Sequence, residues 1–388
     1  MKRSALVGLL ASSLFGIPAQ AAMHPSAAHL RLTPTVTLLY AFKGGVDGSI
    51  PNQPLFGPNG TIYGTTHEGG TYGYGTVFEL IPSGAGYIKT TLYSFTGGTD
   101  GALPQAPLAI DAAGNLYGTT TQGGATQNGV VFKLSASASG FTESTVYSFI
   151  GTPGTDSPGT GVIVDTTGAV YGTTARGGAY GQGTFYVLTP SGNTYNETTF
   201  YSFGGHATSA DYITSIASDG HGGFLGTSEY GGLFGRGEVF ALTVSASGVA
   251  ERALDFFRSG ATSRPGYNPL VPIVTDASGN IIGINAEGGA TGFGAIYELH
   301  PTSAGGYGVG TIFDCSAKSF FGTGFVAGPG GMLYSPISGG FLVLTPTAKA
   351  YSTAIVKVKN LSPSGTLTAD GSGNYYGASN NDIYRVTF

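Results

Sequence analysis

The sequence predicts an all-β fold, a seven-bladed β-propeller of four-stranded blades, and three observations carry that expectation. One phrase recurs seven times along 388 residues at a period near fifty; each period holds four short strand-like runs; and a strand spare at one end matches one missing at the other. Periods of this size belong to propellers or solenoids, and the coil of a β-helix is much shorter. Four strands per unit in sevenfold array fit the propeller.

The phrase itself is YGTTHEGG at Tyr63, YGTTTQGG at Tyr117, YGTTARGG at Tyr171 and LGTSEYGG at Leu225, each 54 residues after the last. IGINAEGG at Ile282 follows, and YSPISGG at Tyr334 and YGASNND at Tyr376 are worn copies. In the second unit the four runs are PLAID (107–111), NLYGTT (115–120), VVFKL (130–134) and STVYSF (144–149). Short runs rich in Val, Tyr, Phe and Thr and bounded by Gly are strand signals. The first two runs are joined by DAAGN (111–115), echoed by DTTGA (165–169), DASGN (276–280) and DGSGN (370–374). Asp opens a tight turn and Gly takes a left-handed position, so Asp111, Asp165, Asp276 and Asp370 read as turn residues.

The ends supply the closure. The last unit stops at IYRVTF (383–388), after its third strand, while VTLLYAF (36–42) precedes the first unit and matches TLYSF (91–95) and TVYSF (145–149). Pairing the two, with 35–42 as the closing strand, completes the last blade and removes two exposed edges. The domain is then 35–388, preceded by a short segment over 22–34. Residues 1–21 read as a signal peptide: Lys2 and Arg3, an apolar run from Ala5 to Ile17, then Ala19-Gln20-Ala21. That run is short for a bilayer span, so the mature chain is expected without a transmembrane segment, in the periplasm or outside the cell. An outer-membrane barrel is disfavoured because its strands need about 9–11 alternating residues.

The motif N-L-Y-G-T-T-x-x-G-G-x-x-x-x-G-x-V-F-x-L resembles the GloVer repeat, found in tandem in exported bacterial proteins with variable C-terminal anchors. The likeness covers nearly the whole mature chain and is strongest in units one to five. It implies a propeller-like repeat protein and brings no established activity. The chain departs from anchored members by ending at Phe388 without a sorting segment.

Composition narrows the function. Gly stands at 68, only 10% of residues are charged, and 41% are hydrophobic, which supplies a core. Without Lys2 and Arg3, 14 basic face 21 acidic residues, a net charge near −7. Such a surface lacks the phosphate-binding footprint of a nucleic-acid protein. The single cysteine, Cys315, excludes an internal disulfide and occupies the slot of Phe95, so it reads as a buried apolar residue. The six histidines have no H-x-H or H-E-x-x-H spacing, no D-x-D-x-D-G loop and no G-x-S-x-G elbow occur, and neither metal nor cofactor is expected.

By analogy with propellers of this strand order, loops after second and fourth strands share one face. The former are HEGGTYGYG (67–75), TQGGATQNG (121–129), ARGGAYGQG (175–183), EYGGLFGRG (229–237) and AEGGATGFG (286–294). Their glycines recur, so Gly69, Gly70 and their counterparts read as structural; no Lys or helix follows to make a phosphate loop. The positions that vary in this frame are the candidates: His67, Glu68, Gln122, Arg176, Glu229, Tyr230 and Glu287, with Tyr72 and Tyr180 as stacking faces. A second acidic series, Asp47, Asp100, Asp156 and Asp211, is placed in loops after fourth strands and again read as turn-forming. Tyr63, Tyr117 and Tyr171 are read as packing between blades.

These features favour a monomeric binding scaffold for a glycan, peptide or protein ligand. The alternative is a hydrolase or lyase on polysaccharide, with an acid/base pair drawn from Glu68, Glu229 and Glu287. An enzyme needs one asymmetric cluster with a perturbed titratable group, whereas a binder can use equivalent positions around the ring.

Overall fold

The computed structural model describes residues 33–388 other than 85, 152–157, 159, 193, 246–247, 260–264, 304, 316–322 and 349. Seven separate antiparallel sheets form the blades of a propeller, and no α-helix occurs among the described residues. In the second blade the innermost strand is split into Ala102–Pro104 and Ala109–Ile110, followed by Leu116–Gln122, Val130–Ser137 and Gly140–Ser148 outward. The first, third, fourth, fifth and sixth units repeat that order, with second strands at Ile62–Glu68, Val170–Thr174, Phe224–Gly231, Ile281–Glu287 and Leu333–Ile337. Blades are numbered below in this chain order.

The seventh blade is closed as the ends foretell. Thr35–Ala41 pairs antiparallel with Asp382–Thr387, with Val36 opposite Val386 and Tyr40 opposite Ile383. Its register shifts between Leu38 and Tyr40, and the outer pairs of blades 1 to 5 shift in the same way, for example between Val77 and Phe78. A strand from the N-terminus thus copies even the bulge of a fourth strand.

Apolar side chains gather in seven clusters, one at each joint between neighbouring blades. The joint of blades 7 and 1 contains Phe42, Phe78, Leu80 and Ile383; that of blades 1 and 2 contains Phe95, Phe132 and Leu134. The aromatic ring just after the fourth strand of blades 7 and 1 to 4 meets a third-strand ring of the next blade, edge-on at the joints 7–1, 1–2 and 2–3 and tilted at 3–4 and 4–5. Phe42–Phe78 and Phe95–Phe132 centroids are 5.0 Å apart, and Phe203–Phe240 are 5.3 Å apart. Such edge arrangements suit the ring quadrupoles. The glycine of the YGTT phrase makes room for this ring: a Cβ on Gly64 would lie 2.5 Å from Phe78 Cζ, and one on Gly118 equally close to Phe132 Cζ. Tyr63 meets Phe141 and Tyr171 meets Phe224 in adjacent blades, while the Tyr117 and Tyr195 hydroxyls are 3.3 Å apart, so this series does pack between blades.

Removing residues 33–42 exposes two strand edges and empties the joint of blades 7 and 1. Phe42→Ala alone should cost about 3–5 kcal/mol, and the deletion more. Chemical denaturation checks both; a deletion variant that stays monomeric and melts at the wild-type temperature contradicts the closure.

Candidate functional site

Loops after second strands and loops after fourth strands are bonded to each other on one face. The Gly70 N–H donates to Gly45 O at 2.9 Å, Gly124 N–H to Gly98 O at 2.8 Å, and Gly232 N–H to Ser209 O at 3.0 Å. The paired glycines hold left-handed angles, with φ of 82° at both Gly69 and Gly70. A Cβ on Gly70 would also sit 2.7 Å from Thr76 Cγ2. The constant frame is therefore set by backbone geometry, and the residues just before it are free to differ.

Of the candidate residues, those of blades 3 to 5 fall along one arc. The Arg176 guanidinium lies 6.0 Å from the centre of the Tyr212 ring, and Tyr212 meets Tyr230 edge-on at 6.2 Å. A hydrogen bond to Glu229 and the negative charges of Glu229 and Glu287 push the Tyr230 phenol above its ordinary pKa. Burial raises the Asp211 carboxyl, opposed by the Tyr212 N–H and by Arg176. His67, Glu68, Tyr72 and Gln122 stand on blades 1 and 2. His67 Nδ1 lies 3.3 Å from Pro104 O, while Glu68, Tyr72 and Gln122 are exposed. Tyr180 is exposed and leans on Gly204 and Gly205. The arc couples five side chains, Arg176, Tyr212, Glu229, Tyr230 and Glu287, from three blades.

Tyr212 belongs to a set that sequence reasoning missed. Ile50, Leu103, Tyr212 and Asn268 occupy the same place in the innermost strands of blades 1, 2, 4 and 5, and all have φ between 55° and 59°. Left-handed angles are costly for such side chains and persist only where the surroundings enforce them. Here the turned N–H reaches the preceding blade: Leu103 donates to Tyr74 O at 2.9 Å, Asn268 to Arg236 O at 3.1 Å, and Ile50 to Asn381 Oδ1 at 3.0 Å. In blade 4 the Tyr212 N–H bonds the Asp211 carboxylate instead. The available signal was a variable residue before proline, as in Ile50-Pro51, Leu103-Pro104 and Asn268-Pro269.

The remaining acidic residues have structural partners. Asp111 Oδ1 accepts the N–H groups of Ala113 and Asn115, both at 2.9 Å, and Asp165, Asp276 and Asp370 repeat that turn. Asp47 accepts from Lys43 N–H and the Tyr40 hydroxyl, and Asp100 from Thr96 N–H and Tyr93. Asp211 does not belong to that series, because it lies within the innermost strand Ala210–Ser218 of blade 4; Ser209 takes the loop position there. Asp156 lies outside the described residues. Cys315 does fill the phenylalanine slot: its N–H bonds Gly294 O at 3.0 Å, as that of Phe95 bonds Gly75 O, and burial pushes its thiol up to about 11. Among the described residues no group of three or more His, Cys, Asp or Glu is placed to hold a metal ion. No helix among them is long and apolar enough to cross a membrane.

Fold and loop face together define a propeller repeat protein. The chain belongs to the Gloeobacter/Verrucomicrobia repeat family, whose model matches residues 5–221. No curated protein sequence matches it. Among solved structures it is similar to a virginiamycin B lyase from Staphylococcus aureus crystallised with quinupristin, at 15% identity and a TM-score of 0.59, covering 92% of this chain and 99% of that one. A streptogramin B lyase aligns at 15% identity and a TM-score of 0.58, over 91% and 97% of the two chains. The extracellular domain of a protein assigned as a hybrid two component system of B. thetaiotaomicron aligns at 11% identity and a TM-score of 0.58, over 91% of this chain and 42% of that one. At these identities the likeness is one of fold.

The most perturbed carboxyl lies under the loops of blade 4, outward of the arc. Glu238 is fully buried, and neither of its carboxyl oxygens makes a well-formed hydrogen bond. Burial, and then the adjoining Glu251 carboxylate, push it up to about 10. Glu251 accepts from Ser209 Oγ at 2.7 Å, Tyr201 OH at 2.8 Å and Ala210 N–H at 3.0 Å, with His206 Nε2 at 3.8 Å. Blades 1 and 3 place Thr76 and Thr184 where Glu238 stands, each paired with a second threonine hydroxyl. The folded protein keeps a proton on Glu238 that the unfolded chain releases in the ordinary carboxyl range. Its stabilisation is therefore complete below that range and declines as pH climbs toward about 10. Glu238→Gln should melt like the wild type near pH 4 and above it at pH 9. Parallel melting curves across that range would contradict the buried-acid assignment.

Proposed function

We propose that this chain is an exported binding scaffold that takes a glycan, peptide or protein ligand on the face built by its second-strand and fourth-strand loops. The observation that carries the reading is where the apolar surface lies. Exposed large apolar side chains concentrate on those loops, among them Val46, Tyr72, Tyr180, Tyr230, Phe234 and Phe293. Exposed apolar groups assembled on one face mark binding surfaces. Glu68, Arg176 and Glu287 stand exposed between them, so flat rings for stacking alternate with charged groups that bond hydroxyls or amides.

An acid/base reading finds less support. Of the two strongly raised carboxyls, Glu238 is sealed beneath its loops, and Glu143, pushed up to about 7 by burial and then by Asp100, stands on the outermost strand of blade 2 rather than among Glu68, Glu229 and Glu287.

Glycan and peptide arrays supply the test. Alanine at His67, Glu68, Arg176, Glu229, Tyr230 or Glu287 should alter stability by no more than about 0.5 kcal/mol and weaken an array ligand, most at Arg176 and Tyr230. Gly70→Ala and Gly124→Ala should do the reverse, costing about 1–3 kcal/mol through the left-handed backbone. Binding that survives every loop substitution and fails on changes to the opposite face overturns the assignment.

Export rests on the basic, apolar and Ala19-Gln20-Ala21 order of the first residues. Mass spectrometry of protein recovered outside the cytoplasm should find Ala22, or a residue close to it, at the N-terminus. Intact Met1 on most of that protein contradicts export through this leader.

A further inference from the structure

The innermost strands carry a recurring polar device. In blades 1, 4, 6 and 7 the side chain at one position of this strand, two places after the left-handed residue in blades 1 and 4, reaches the backbone of the next blade. Asn52 Nδ2 donates to Pro104 O at 2.8 Å from blade 1 to 2, and Thr214 Oγ1 to Pro269 O at 3.0 Å from blade 4 to 5. Thr323 Oγ1 donates to Gly365 O at 2.6 Å from blade 6 to 7, and Ser364 Oγ to Pro51 O at 3.0 Å from blade 7 to 1. Blade 2 places Gln105 there, exposed but still polar. In blade 5 the slot holds Leu270, which cannot donate and is 48% exposed. At the adjoining second-strand position Thr65 and Thr227 bond Asn52 and Thr214, while blade 5 has the apolar Ile284 and blades 6 and 7 have Pro336 and Ala378.

A cavity of about 790 Å³ opens at that break, between Leu270, Val271 and Pro272 of blade 5, Thr323 of blade 6, and Ser364 of blade 7. Its size is that of a small-molecule site. Phe293, 37% exposed, and Glu287 complete the wall from the second-strand loop of blade 5. Glu287 is the one charged residue of the lining, and it makes no ion pair among the described residues. Arg236 is engaged 5.0 Å over the Tyr267 ring. Packing alone does not call for an exposed leucine where neighbouring blades place a bridging donor. An apolar wall under a single carboxylate complements a ligand with an apolar body and a positive head.

We propose that this cavity is a subsite for an apolar organic cation, a free amine or the ammonium-bearing apolar group of a larger ligand. The proposal rests on the reading that the loop face binds ligands and names the chemistry of one part of it.

The probes are phenethylammonium, neutral 2-phenylethanol and anionic phenylacetate, titrated by ligand-observed NMR at pH 7 against the full chain. Phenethylammonium should bind about fivefold more tightly than the alcohol, and phenylacetate weakest. Leu270→Asn, which restores the blade 1 residue, should lower phenethylammonium affinity at least tenfold without lowering the melting temperature. Glu287→Gln should abolish the preference for cation over alcohol and leave alcohol binding unchanged. Equal binding of the three probes, or binding untouched by Leu270→Asn, overturns the subsite. An array ligand that binds wild type and Leu270→Asn alike, with no phenethylammonium binding, overturns the subsite and leaves the loop-face reading standing. Phenethylammonium binding as described, with array ligands indifferent to every loop substitution, supports the subsite and removes the broader reading. Competition of a basic apolar peptide with the amine assigns the larger source; its failure assigns the free amine.

Discussion

The seating of one aromatic ring over one glycine sets the geometry on which the rest of this molecule depends. Phe78 fits against Gly64 because glycine has no Cβ to meet it, and the same ring meets Phe42 of the preceding blade. A single contact thereby fixes the spacing within a blade and the spacing between blades. Repeated over five joints, it accounts for the YGTT phrase and for the phenylalanine after the fourth strands of blades 7 and 1 to 4. Close-packed interiors tolerate little change in volume, so both residues are constrained together. Cys315 shows what can vary: the backbone bond to Gly294 is kept while the ring is lost, and Leu344, Ile337 and Ile296 fill the joint of blades 5 and 6.

With the joints fixed, the innermost strands must bridge neighbours that diverge by a constant angle. The left-handed residues resolve this by turning one N–H out of its own sheet and into the preceding blade's loop. The cost of that conformation is offset by a backbone bond that a regular strand could not make. In blade 4 the left-handed residue is Tyr212, which lies beside Tyr230 and Arg176.

Much of this architecture was legible in the sequence because each part repeats at short range. The Asp of DAAGN, the paired glycines and the spare strand at 36–42 are local patterns, and each is found in the role its pattern implies. Asp211 was misplaced for an instructive reason. The loop leading into blade 4 places its backbone-capping side chain five residues on, at Ser209, rather than four as at Asp47 and Asp100, and Asp211 falls in the strand opposite Tyr230. The arc of Arg176, Tyr212 and Glu287 was partly hidden because its members come from three units and meet only through the ring. The Glu238–Glu251 pair was hidden more deeply. Its members lie on adjacent strands but do not face each other in register, Glu238 being opposite Phe256 and Glu251 opposite Leu242.

Repetition also gives meaning to departures from it. A residue that repeats in every blade answers a demand of the ring, and one that breaks the series without loss of the fold answers something else. Blades 4 and 5 hold two such breaks: Glu238 for a threonine and Leu270 for a bridging donor. Glu238 is buried and self-contained, so its effect falls on stability. Leu270 faces open space beside a free carboxylate, so its effect falls on what can enter. Burial therefore separates two kinds of asymmetry that look alike in the sequence, and the proposed subsite draws only on the exposed kind.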